Sequence, residues 1–136
     1  PKKARRIEQR TLLLFSCTFP EGKRILLHCR PEKGVLRGMW EFPALEGKLS
    51  QDDALRQALR MVEPYGLFVR KITPLRDAKH IFTHIEWQMS AWRLSATADS
   101  LPETQAALPE DFSLVQRLAD ITLPSAFKAY RTVFGE

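Results

Sequence analysis

The sequence predicts a single α+β domain, and three of its features carry the prediction. Apolar, β-prone runs at Thr11–Thr18 and Arg24–Arg30 flank Pro20-Glu21-Gly22-Lys23, which is turn chemistry, so a hairpin is expected. Ser50, with Asp53 at capping-box spacing, precedes Ala54, Leu55, Ala58, Leu59 and Val62, which recur at helical spacing until Pro64 and Gly66 stop the run. Ile85, Trp87, Met89 and Ala91 alternate with Glu86, Gln88 and Ser90, as a half-buried strand requires. A chain of 136 residues holds one real core and is too short for two ordinary domains.

The remaining elements follow in order. Residues 1–10 are basic and polar and read as the remnant of an interdomain linker, so the domain is expected over 11–136. Pro31–Leu49, punctuated by Pro43, Gly34, Gly38 and Gly47, predicts a loop with a short extended piece at Trp40–Phe42. Leu67–Thr73 reads as a strand, and the polar, proline-bearing stretch Ala96–Phe112 as a long surface connection. Two short helices are expected to close the chain: Leu114–Ile121, and one capped by Ser125 with Phe127, Tyr130 and Phe134 on its inner face.

Bulk properties exclude several classes. The chain is 44% hydrophobic and 27% charged, and its longest apolar runs are far too short to cross a bilayer, so no membrane partner and a cytoplasmic location are expected. Two cysteines, Cys17 and Cys29, cannot build a disulfide framework, a zinc knuckle or the four-thiolate seat of an iron-sulfur cluster. The chain begins at Pro1 without an initiator Met or signal peptide, which suggests a domain excised from a longer polypeptide. The formal charge of +5, with Lys2, Lys3, Arg5 and Arg6 at the start, suits either phosphate contact or a solvated tail.

The chemistry-bearing motifs are Arg37-Gly38-Met39-Trp40-Glu41-Phe42-Pro43 and, farther along, Phe82-Thr83-His84. A strand pair, a Trp-Glu-Phe-Pro loop and an amphipathic helix follow the order of a Nudix hydrolase, whose helix glutamates share one face and hold magnesium. Here the helix reads Asp52-Asp53-Ala54-Leu55-Arg56-Gln57-Ala58-Leu59-Arg60-Met61-Val62-Glu63, and in no register does more than one acid fall on the Arg-Glu-hydrophobe-x-Glu-Glu template. One carboxylate holds a divalent ion poorly, which argues against nucleotide hydrolysis.

Together with His80-Ile81 and Leu123-Pro124-Ser125-Ala126-Phe127, these segments resemble the C-terminal domain of the A/G-specific adenine DNA glycosylases over nearly the whole chain. The resemblance implies a Nudix-like fold, a mixed β-sheet flanked by helices, that has lost hydrolase function and recognises 8-oxoguanine opposite a misincorporated adenine. The family's catalytic half, with its catalytic acids and iron-sulfur cluster, is not in this sequence. Adenine excision is therefore expected of a parent protein, not of this chain, which should hold no cofactor, metal or catalytic residue of its own. The expected partners are duplex DNA carrying 8-oxoguanine:adenine and the N-terminal catalytic domain.

Oxidation at C8 converts guanine N7 from an acceptor to an N–H donor and adds an acceptor at O8. A hydroxyl can answer either group, and the resemblance assigns that contact to Thr83. It assigns support or wedging of the strand to Phe82 and sensing of the exposed base edge to His84. A phenylalanine at a strand mouth equally serves a core, a threonine equally suits a strand, and His84 equally suits a buried hydrogen bond or a metal pair with His80. Trp40, Phe42 and Trp87 are read as core aromatics. Lys2, Lys3, Arg5, Arg6, Arg76 and Lys79 are candidate phosphate contacts. The competing functions are a hydrolase of oxidised nucleotides drawing metal ligands from Glu63, Glu41 and Glu46, and a protein-interaction module.

Overall fold

The computed structural model describes residues 4–135. At its centre is β1 (Arg6–Phe19), whose consecutive residues Leu12, Leu13, Leu14 and Phe15 are all fully buried. Neighbouring side chains on a strand point to opposite faces, so an unbroken apolar run requires cover on both sides. Leu13, Phe15, Cys17 and Phe19 face one layer, with Ala54, Ala58 and Val62 of helix α1 (Gln51–Val62) and Leu101 of helix α2 (Leu101–Ala107). Leu12 and Leu14 face the other, with Phe42, Trp87, Phe127 and Tyr130.

Around β1 run β2 (Gly22–Cys29), β3 (Trp40–Glu41), β4 (Ala44–Glu46), β5 (Phe68–Ile81), β6 (Ile85–Thr97) and β7 (Phe112–Val115). The main path is β3-β2-β1-β6-β5, with β4 added to β1 and β7 to β2. β1 and β6 are parallel, from Arg6 opposite Ile85 to Thr18 opposite Thr97, while the other pairings are antiparallel, so the seven-stranded sheet is mixed. The expected hairpin forms with Phe19 opposite Gly22, and Cys17 lies opposite Arg24, away from Cys29. Helix α1 starts where its cap predicts: the Ser50 side chain accepts from Asp53 N.

The sequence reading is corrected in five places. β1 begins at Arg6, not near Thr11, because the parallel ladder to β6 needs only backbone groups and accepts the polar stretch 6–10; Lys2 and Lys3 lie outside the described residues. The strand expected over Leu67–Thr73 continues to Ile81 through two bulges, and Pro74 is tolerated because β5 is an edge strand with no partner on its outer side. Ala96–Phe112 contains α2, too short to show a period but capped by Ser100, which accepts from Glu103 N. The expected helix Leu114–Ile121 is instead β7, which satisfies the backbone of β2, followed by a 3-10 turn at Leu118–Asp120. The last helical segment, Ser125–Tyr130, is 3-10 and follows Pro124 without a side-chain cap, although Phe127 and Tyr130 are buried as the pattern requires.

Candidate nucleic-acid interface

β5 and β6 are joined by the tripeptide singled out in the sequence. Phe82 N donates to Ile85 O at 2.7 Å, closing a tight turn that leaves Thr83 and His84 exposed at its apex. Neither side chain has a hydrogen-bond partner among the described residues, so both are available to a ligand. The turn is tied to β1 as well, because Arg6 N donates to His84 O at 3.0 Å. Three strands thus converge beneath a two-residue tip.

Phe82 is half-buried. Its ring meets Trp87 edge-on at 5.0 Å and His80 at 4.7 Å, so it anchors the tip to the core. Trp87 and Phe42 are fully buried and Trp40 half-buried, as core aromatics should be.

The structure divides the candidate phosphate contacts. Arg5 and Arg6 sit at the tip, but Arg5 pairs with Glu86 at 3.4 Å and Arg6 with Glu8 at 2.9 Å. Gln88 and Arg5 together hold the Glu86 carboxyl below its usual range. Lys79 is exposed near the tip, opposite Gln88, makes no hydrogen bond or ion pair among the described residues, and adds its charge to those that hold Glu86 low. Arg76 lies at the second bulge, roughly 20 Å up the strand at about 3.3 Å per residue, and its guanidinium is spent on Ala129 O at 3.0 Å. On one face of the sheet, beside Arg5, Ile7 and Ile81 stand 56% and 45% exposed on either side of Glu86.

Sequence reading missed a buried charged cluster under the tip. Glu41, 3% exposed, receives Arg10 Nη2 at 3.2 Å and Arg30 Nη1 at 3.0 Å on one carboxylate oxygen, and its other oxygen lies 2.8 Å from His28 Nδ1. His28 Nε2 meets Asp111 at 2.8 Å, and the two carboxylates, Glu41 first, raise the imidazole above its ordinary value. Arg10 and Arg30 lie over the Trp87 ring at 4.4 and 5.1 Å, and Trp87 Nε1 donates to Glu8 at 3.1 Å. The only signal in the sequence was the odd placement of Arg10 and Arg30 at the borders of apolar strands.

The acids named for metal binding do not converge. Glu41 is consumed by the cluster, Glu46 lies on β4, and Glu63 closes the far end of α1. Among the described residues no three His, Cys, Asp or Glu side chains group as a metal site. The cysteines do not suit an iron-sulfur cluster either: Cys17 and Cys29 lie on different stretches of the hairpin, and burial pushes the Cys17 thiol up to about 12.

A sequence model described as the NUDIX domain matches residues 17–132. The chain belongs to the NUDIX domain family. Within curated proteins, this NUDIX domain is 27% identical over 113 residues to adenine DNA glycosylase of Mus musculus, covering 78% of the chain and 22% of that protein. It is 28% identical over 101 residues to the Homo sapiens adenine DNA glycosylase, covering 70% and 18%. The chain thus spans about a fifth of the length of these relatives. Its fold is similar to the C-terminal domain of mouse MUTYH, solved in complex with human PCNA, with a TM-score of 0.66 and 20% identity over 90% of this chain and 86% of that one. It is also similar to the RenU Nudix hydrolase of M. smegmatis, with a TM-score of 0.59 and 20% identity over 97% and 84% of the two chains. The MutT protein of Methanosarcina mazei gives a TM-score of 0.60 and 16% identity over 98% and 96%.

Proposed function

We propose that this NUDIX domain recognises 8-oxoguanine opposite adenine in duplex DNA, as the C-terminal module of an adenine DNA glycosylase. The observation that carries the reading is the tip: a hydroxyl and an imidazole, unengaged by the other described residues, held at the apex of a hairpin that three strands support. Thr83 Oγ1 accepts from N7–H of the oxidised base or donates to O8, and His84 reads the neighbouring base edge. Presented with normal guanine, the hydroxyl that accepts from N7–H meets a lone pair instead. Such a mismatch is worth roughly 1–3 kcal/mol, or about ten- to hundredfold in affinity. Excision of adenine, with the iron-sulfur cluster, belongs to the remainder of a longer polypeptide.

The test is equilibrium binding of this chain to matched duplexes containing 8-oxoguanine:adenine or guanine:adenine. The unaltered chain is expected to prefer the lesion, and Thr83→Ala to lose about tenfold of that preference. Equal affinity of the unaltered chain for both duplexes would overturn the proposal. Magnesium-dependent turnover of 8-oxo-dGTP would favour a hydrolase instead.

A further inference from the structure

The two motifs that stand far apart in the sequence are joined in space. Glu41, from the Trp-Glu-Phe-Pro loop, gathers the guanidinium groups of Arg10 and Arg30 on one carboxylate oxygen. Those groups lie over the ring of Trp87, and Trp87 meets the ring of Phe82, the first residue of the tip. The indole N–H is fixed by Glu8 of β1, the strand whose first residue also bonds to His84 O. Trp87 therefore bridges the charged cluster and the tip, and its ring also packs on Phe127 at 6.0 Å within the buried core.

Resting on the reading of the tip as a lesion sensor, we infer that Glu41 and Trp87 are positioning residues for it: the carboxylate sets the two arginines, the arginines and Glu8 set the indole, and the indole sets Phe82 and with it Thr83 and His84. Recognition by a single hydroxyl tolerates little displacement. A hydroxyl discriminates between N7–H and a bare N7 only while its oxygen stays within hydrogen-bonding distance and angle of that atom. A two-residue apex has no side-chain bonds of its own to hold it, so its placement comes from the turn bond, from the Arg6 N–His84 O bond and from the anchoring of Phe82. An edge-to-face ring contact is directional, and it transmits the position of Trp87 as a face-on contact between flexible side chains would not. On this view the acidic residue of the Trp-Glu-Phe-Pro loop serves to hold two arginines, not a metal ion.

A merely structural role for this cluster predicts lower stability with unaltered selectivity, and the experiment separates the two. The quantity to measure is the ratio of this chain's affinities for 8-oxoguanine:adenine and guanine:adenine duplexes, at a temperature where melting curves show every variant folded. Trp87→Phe keeps a ring but loses the N–H to Glu8, and Glu41→Gln keeps the shape but loses the charge; each is expected to lower the ratio by roughly three- to tenfold. In a Thr83→Ala background the same changes should bring little further loss, because they act through the group already removed. Phe15→Leu, on the opposite face of β1, serves as the control: it should lower the melting temperature and leave the ratio unchanged. The inference is overturned if Trp87→Phe and Glu41→Gln behave like Phe15→Leu, or if their losses simply add to that of Thr83→Ala. A ratio that Thr83→Ala itself fails to move would instead remove the proposed function, and this inference with it.

Discussion

Replacing Glu41 by alanine should cost far more stability than a surface ion pair would. The side chain is 4% exposed, and its partners Arg10 and Arg30 are only 18% and 12% exposed, so removing the carboxylate strands two guanidinium groups in a region where water cannot take its place. Burial already pushes the Arg10 guanidinium below its usual range, with Glu41 as the leading opposing influence, so the charge there depends on its partner. Breaking a buried pair from one side typically costs about 3–5 kcal/mol, whereas an exposed pair is worth about 0–1 kcal/mol. A domain of this size has about 5–15 kcal/mol to lose, and at about 4 °C per kcal/mol the melting midpoint should fall by roughly 12–20 °C. The triple variant Arg10→Met, Arg30→Met, Glu41→Leu removes both guanidinium groups with the carboxylate, leaves His28 held by Asp111 alone, and should recover much of that loss. Urea denaturation of the three proteins checks both statements. A loss below about 1 kcal/mol for Glu41→Ala would refute the reasoning, because it would mean that the cluster is hydrated like a surface pair.

Three further outcomes are expected. His28 is raised above its ordinary value in the folded state, so its stabilising contribution is fully present below about pH 6.5 and is lost as pH rises through the folded-state value; urea midpoints between about pH 5 and 9 should show this fall, and His28→Asn should flatten it. The β5 edge carries Arg70, Lys71, Arg76 and Lys79 against the single acid Asp77, itself paired with Lys48, so a Lys71→Gln, Lys79→Gln double variant should weaken binding to both duplexes alike and reduce the salt slope by up to about 2. An unchanged slope would show that DNA does not pass along this edge. The buried Thr11 hydroxyl donates to Gly47 O at 2.7 Å and accepts from Leu49 N at 3.0 Å, so Thr11→Val should cost about 1–3 kcal/mol in urea denaturation.

What the sequence made legible is what local chemistry decides. Helix α1 announces itself through the Ser50 cap and the Ala54, Ala58, Val62 stripe, and the β1–β2 hairpin through its turn residues, because each signal and its consequence lie within a few residues. The tripeptide was found as a motif, but its placement on the two-sided support of β1 and β5 was not, since the parallel pairing of β1 with β6 joins residues far apart in the chain. The start of β1 at Arg6 was missed for the same reason: its polar side chains carry no strand pattern, and the partner that makes it a strand is Ile85. β7 looked helical because four residues cannot display alternation, and only the open edge of β2 makes them extended. The Glu41 cluster was invisible because charged side chains in sequence look solvated until the fold shows Arg10, Arg30 and His28 turned toward one carboxylate.

The location of the tip follows from where cover on the sheet runs out. Thr11 and Ser90 mark the last row that the segment leading into α1 seals, through the Thr11 hydroxyl's bonds to Gly47 and Leu49. Beyond that row β1, β6 and β5 run on together, with Ile7 and Ile81 exposed on one face on either side of Glu86, which only the side chains of Arg5 and Gln88 engage among the described residues. Such an extension is stiff, because its central strand is bonded on both edges, yet it is accessible, because one face has no covering layer. Those two properties are rarely available in the same loop: a long flexible loop reaches a ligand but loses ordering entropy on binding, and a covered one cannot reach it. A two-residue apex on a three-strand base loses little on contact, so nearly all of the roughly 1–3 kcal/mol offered by a matched hydrogen bond remains to separate one base from another. The same reasoning locates the domain's weak point. If the tip reads DNA as proposed, changes that loosen the base, at Glu8, Trp87 or the Arg6 pairing, should erode selectivity before they erode affinity, because phosphate contacts by cations elsewhere on β5 would not need the tip to be in register.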